Sequence, residues 1–316
     1  MPDFGSFRGF GEKLTQGQIP TQLGKIGSEN FGYFGMLDFY PTATVAYSLR
    51  LLRNAYTGNA IRVRRASDNT EQNIGFTLQG GLNISALNSF CSGTNGFVTT
   101  WYDQSGNGRN ATQTTASNQP QIVSSGSVIT LNLKSSMLYS GNSGMQFNFN
   151  NLTGATSYSI TSVFSAIEAT QFTKLLSIGP DAETSGVWFT LNTANTALGW
   201  VSKDTGFMGN GYNNPTGPTI ISNGRIIPDS ITTQNLLTTV LSSSNAKMFR
   251  NGSEIGYRVQ RVGNCYTTTG NLILGNGPNS ANTFNGRMQE IVIWQTDQNS
   301  NISGINTNSN AFYGTY

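Results

Sequence analysis

Histidine is absent from all 316 residues, which narrows the available chemistry at once. Imidazole is the commonest general base and the commonest zinc ligand, so Ser-His and Cys-His nucleophile arrangements and His-based zinc centres are excluded. Acid–base work falls to 15 carboxylates. No dense Asp cluster suggests a calcium loop, so no metal and no cofactor are expected. Cys91 and Cys265 permit one bridge, which geometry alone decides, and both are read as reduced thiols. For binding, the candidates are Trp188, Trp200 and Tyr212, in a Gly/Asn-rich middle stretch whose loops would line a concave face. Aromatic rings beside amides suit sugars, because C–H faces stack and hydroxyls need donors and acceptors. Each of these rings fits a core position as well. Trp101 and Trp294 fall inside strand-like runs and read as core.

The elements that must position these groups are strands. With 37 Gly, 10% charged residues and 11% aromatics, the chain has turn chemistry and enough bulk for a core, so disorder is not expected. Short apolar runs follow at intervals of about ten residues. They include Ile61 to Arg65, Phe97 to Tyr102, Val128–Leu133, Met145–Phe149, Ser157–Ala166, Thr173–Ile178, Val187–Leu191, Leu236–Leu241, Ala246–Phe249, Asn271–Leu274 and Gln289–Trp294. Asn251-Gly252 reads as a hairpin turn. Helices are expected at Thr44 to Tyr56, where Val45, Leu49, Leu52 and Tyr56 share a face and Gly58 ends the run. Two more are expected at Ser85 to Cys91 and Ser300 to Phe312. In Asp103-Gln104-Ser105-Gly106-Asn107-Gly108 the acceptors and glycines specify a compact turn, with Asp103 accepting backbone N–H bonds.

The net charge of +3 sits before residue 65 and is too small to imply nucleic acid. No run approaches eighteen apolar residues, so no membrane insertion is expected. Met1 to Gln18 has neither an apolar core nor a small-residue cleavage site, which points to folding in a cytosol. Residues 1–40 form an N-terminal arm whose Phe4, Phe7, Phe10, Phe31, Tyr33 and Phe34 lack a period of 2 or 3.6. Such an arm orders by docking on a partner or by strapping its own domain.

Four blocks resemble the catalytic domain of α-L-arabinofuranosidase B, family 54 of the glycoside hydrolases. They are Arg50 to Gly58, the V-R-R-A-S-D run Val63 to Asp68, S-F-C-x-G-T from Ser89 to Thr94, and Y-D-Q-S-G-x-G from Tyr102 to Gly108. NLILGNGPNSANTFNG, from Asn271, looks like the family's last core strands, and the final strands are similar to laminin-G and concanavalin-like lectins. The resemblance implies an all-β, concanavalin-like jelly-roll β-sandwich with two or three short helices over 41–316, preceded by the extended arm.

A retaining glycosidase needs two carboxyl groups about 5 Å apart. The resemblance implies an acid/base aspartate where this chain has Pro278, and the nucleophile's nearest counterpart is Glu183. The family's short disulfide would join Cys91 to position 96, which is Gly96. With these positions degenerate, the expectation is a non-enzymatic sandwich. Together with the arm, it resembles virion proteins of tailed bacteriophages: a capsid-decoration, fibre or tail component folded in the host cytosol. Its partners would be other virion proteins through the arm, copies of itself and a cell-surface glycan. The alternative expectation is an arabinofuranosidase-type glycoside hydrolase with displaced carboxylates, or a bacterial surface lectin.

Overall fold

The computed structural model describes residues 34–148, 157–168, 173–178, 187–192, 197–202, 206–209, 232–242, 245–259, 271–276 and 283–316. Every strand pairing among the described residues is antiparallel. One continuous hydrogen-bonded ladder folds into two layers, here called sheets, which Gln121–Ser124 joins by pairing with both Met137–Tyr139 and Gly96–Trp101. In the first, the final strand Asn285–Trp294 is flanked on one side by Val45–Ser48 and Met137–Tyr139 and on the other by Tyr158–Glu168. Asn235–Leu241, Asn245–Arg250 and Ser253–Val259 extend it. The second runs Glu71–Ile74, Ile61–Arg65, Gly96–Trp101, Ala111–Thr112, Met145–Asn148, Asn271–Leu274, Thr173–Ile178, Val187–Asn192, Ala197–Ser202 and Gly206–Gly209. Ile160, Phe164, Leu237, Ile291 and Ile293 from the first sheet and Ile61, Val98, Trp101, Leu176 and Leu274 from the second close one core between them. The all-β sandwich expected from the sequence is the observed fold.

The final strand is buried on both faces, because a third layer covers it. Ile291 and Ile293 face the sandwich core. Val292 and Trp294 pack with Leu52, with Met36 and Leu37 of a short helix, Met36–Phe39, and with Ile305 of the closing helix, Ile302–Tyr313. Between strand and closing helix lies a polar seam in which Arg50 and Glu290 form a two-point ion pair at 2.7 and 3.0 Å. Phe34, the arm aromatic among the described residues, is 48% exposed and tilts against Phe39. Phe4, Phe7, Phe10, Phe31 and Tyr33 lie outside the described residues.

The helix expected from Thr44 to Tyr56 does not form; Val45–Ser48 is a strand and Gly58 is not left-handed. Val45, Tyr47 and Leu49 alternate into the sandwich core while Ala46 faces the helical layer, a period of two enforced by pairing with Glu290 to Ile293. Long-range pairing overrides the local helical spacing. The expected strand Val128–Leu133 is also broken. Asn132 and Leu133 take positive φ of 48 and 61°, so the chain reverses between Thr130–Leu131 and Lys134–Ser135. The helix Ile84–Phe90, capped by Asn83, and the Asn251-Gly252 hairpin form as expected.

The turn after Trp101 staples the incoming chain to the sandwich. Asp103 accepts from the amides of Ala46, Ser105 and Arg109 at 2.9, 2.9 and 3.0 Å and from the Ser105 hydroxyl. Gln104 accepts from the Leu52 amide and donates to the Ser48 and Arg50 carbonyls. Asp103→Ala leaves buried donors without an acceptor and is expected to lower stability by about 1.5–3 kcal/mol, read from denaturant midpoints. A change under about 0.5 kcal/mol would show that these bonds are replaced by water.

Cys91 is buried and unpaired, and a Cβ built at Gly96 would lie 2.8 Å from its Sγ. That separation is close to the roughly 3 Å across a disulfide from sulfur to the partner's Cβ. Gly96→Cys is expected to form the short bridge, adding up to about 2 kcal/mol from loop entropy less the crowding of Val123. The intact mass should fall by two hydrogens and the gain should vanish under reductant. Two alkylatable thiols at 91 and 96 in oxidised protein would refute it. Cys265 lies outside the described residues.

Candidate active site

Register carries one row of residues across the second sheet. Arg62, Thr100, Thr112, Gln146, Ile273, Ser177 and Trp188 are successive cross-strand partners. Thr112 and Gln146 are exposed, which places this row on the face turned away from the core. The neighbouring row, Met145, Leu274 and Leu176, is the buried one. The outer face is therefore a shelf of hydroxyl, amide and guanidinium groups, suited to a hydroxyl-rich ligand.

At the Ser177 end the shelf is covered. Ile273 is 8% exposed and Ser177 fully buried, and the chain just after Leu274 meets the Ser177 side chain. Gly275 takes a φ of +80°, and a Cβ there would lie 2.3 Å from the Tyr139 ring. No other residue fits. The Ser177 hydroxyl donates to the Asn276 carbonyl at 3.2 Å. Asn276, the last described residue before 277–282, thus touches Ser177, whereas Ile178, the last before 179–186, pairs with Leu272. Sequence reading singled out a residue in each of those segments, Glu183 and Pro278; both lie outside the described residues, as does Tyr212. It missed Gln146 and Ser177, which only cross-strand register puts in one row, and Asn276, which only its contact with Ser177 brings there.

Trp188 and Trp200 stand on neighbouring strands, with side chains outside the described set. Trp188 belongs to the row of Ser177, whereas Trp200 pairs with Phe189 in the row of Leu176 and Leu274. Backbone register does not bring them into one row.

Most described carboxylates already have structural partners. Asp38 accepts from the Gly35 and Asn54 amides. Arg65 and Thr70 hold Asp68 well below the usual carboxylate range. Glu71 pairs with Arg62, Asp103 serves the turn, Glu290 pairs with Arg50, and Asp297 accepts from the Asn299 amide. Glu254 stands beside the Asn251-Gly252 hairpin. Among the described residues no group of three or more acidic or cysteine side chains could hold a metal.

Residues 40–166 match the family model of the α-L-arabinofuranosidase B catalytic domain. A probable α-L-arabinofuranosidase B of Aspergillus terreus is 38% identical over 101 residues, 30% of this chain and 20% of that protein. An α-L-arabinofuranosidase of Hypocrea jecorina is 38% identical over 73 residues, 23% of this chain and 15% of its own length. The match thus spans about a fifth or less of those relatives. A family 54 α-L-arabinofuranosidase soaked with a cyclic sulfate inhibitor superposes with a TM-score of 0.67 at 18% identity, over 90% of this chain and 66% of that one. An arabinofuranosidase complexed with arabinofuranosyl-α-1,2-xylobiose gives 0.64 at 18% identity, with the same coverage. The resemblance read from the blocks between Arg50 and Gly108 is borne out for that part of the chain, and the sandwich is the fold of these solved enzymes.

These matches correct the reading of a non-enzymatic phage virion component folded in a host cytosol. The family model is that of a catalytic domain and the relatives are fungal glycoside hydrolases, with no virion protein among those described. That reading had rested on degenerate site positions and a docking arm. Neither outweighs the match of the family's sequence blocks.

Proposed function

We propose that this chain is a glycoside hydrolase acting on α-L-arabinofuranosides. The observation that carries the reading is the match of residues 40–166 to the catalytic domain itself. The shared fold and the polar outer shelf support it. Retaining chemistry requires two carboxyl groups. Those tied to amides and arginines are unsuited to that work, which points to the carboxylates between residues 168 and 229, namely Glu168, Asp181, Glu183, Asp204 and Asp229. Glu183, five residues beyond Ile178, is the first candidate for the nucleophile. Pro278 carries no proton, so the acid/base role falls to another member of that set.

Purified chain should release 4-nitrophenolate from 4-nitrophenyl α-L-arabinofuranoside and arabinose from arabinan. A folded protein that turns over neither substrate overturns the proposal.

A further inference from the structure

A pocket of about 240 Å³ lies under the closing helix, bordered by Leu49, Leu82, Ile84, Leu133, Lys134 and Phe312. It is formed by the 77–82 turn, the start of the Ile84–Phe90 helix and the 130–135 hairpin, and it includes none of the shelf residues. Two features of its rim are costly for a monomer. Leu133 is 91% exposed and held at φ of +61°, a left-handed conformation in which a leucine costs roughly 1–2 kcal/mol. Leu78, on the turn whose Thr77 and Gln79 border the pocket, is 90% exposed. The hairpin is fixed, not adaptable. Asn132 donates to the Tyr313 and Gly314 carbonyls at 2.8 Å, and Gln289 donates to the carbonyls of Leu131 and Ser135 at 3.1 Å.

The polar character of the pocket is one-sided. None of its lining residues is acidic, and Lys134 holds its ammonium 4.5 Å from the Phe312 ring centre. Among the described residues no carboxylate pairs with that ammonium. A cation on an aromatic ring, ringed by leucines and isoleucine, is complementary to an anion carried on an apolar body.

We propose that this pocket binds a small amphiphilic carboxylate, its aromatic or branched apolar body in the cavity and its carboxylate on Lys134. The site is independent of the hydrolase reading. The test is titration with trans-cinnamate and with its uncharged counterpart, cinnamyl alcohol, followed by calorimetry and by amide shifts at residues 77–84 and 132–135. Cinnamate should bind, and the alcohol should bind about tenfold more weakly. Lys134→Met should abolish that preference, Lys134→Arg should keep it, and Leu133→Gly should weaken both ligands while raising thermal stability. Equal binding of acid and alcohol, or no shifts in the pocket with either, overturns the proposal. So does wild-type self-association in sedimentation that Leu133→Gly removes, because a second copy would then be the occupant.

Discussion

Arg50→Met is expected to lower the stability of the sandwich by about 3–5 kcal/mol. Arg50 is 1% exposed and Glu290 fully buried. The guanidinium meets both carboxylate oxygens, and its third nitrogen donates to the Asn308 side chain at 2.8 Å. Glu290 also accepts from the Ser48 and Ser309 hydroxyls at 2.9 Å. One truncation would leave a buried carboxylate held only by two hydroxyls and would strip a cation from the Phe312 and Tyr313 rings. The double variant Arg50→Met/Glu290→Gln is expected to recover part of the loss, since no uncompensated charge remains. Removing Arg62 from its exposed pair with Glu71, where solvent screens the charges, should shift the midpoint far less. Denaturant midpoints measure all three. An Arg50→Met midpoint no lower than that of the Arg62 variant would show that the seam does not fasten the closing helix.

Thr173–Ile178, Asn271–Leu274 and Ile61–Arg65 end where local alternation and turn residues place them, so their limits were legible in the sequence. The segment after Thr44 was not. Val45, Leu49 and Leu52 have helical spacing only by coincidence, because Val45 and Leu49 enter the sandwich core whereas Leu52 enters the helical layer. Its true partner is the final strand, and Arg50 meets Glu290 across 240 residues, a distance no local pattern reports. The Asp103 turn was legible because the Ser105 and Arg109 donors that shape it are local, whereas its bonds to Ala46, Ser48, Arg50 and Leu52 were not. The shelf was not, since Arg62, Gln146 and Ser177 become neighbours only through cross-strand register. The functional misreading has another origin. Degenerate positions at Gly96 and Pro278 record what the chain lacks, and a missing proton donor at one position does not exclude a donor from another loop.

Glu183→Gln is expected to reduce turnover of both arabinofuranoside substrates by about 10²–10⁴-fold while leaving the melting temperature unchanged, because an amide of the same shape can neither attack the anomeric carbon nor carry a charge. One further member of the set Glu168, Asp181, Asp204 and Asp229 should behave differently. Its amide variant should lose activity on arabinan, whose sugar leaving group needs a proton, yet keep most of it in the glycosylation step with 4-nitrophenyl α-L-arabinofuranoside, whose phenolate leaves without one. That split separates the acid/base residue from the nucleophile. Pro278→Asp extends the test. Ser177 bonds to Asn276, and if segments 179–186 and 277–282 serve one site, an aspartate at 278 should raise turnover of arabinan more than that of the nitrophenyl substrate. Full activity in all five amide variants would mean that the catalytic pair lies elsewhere in the chain.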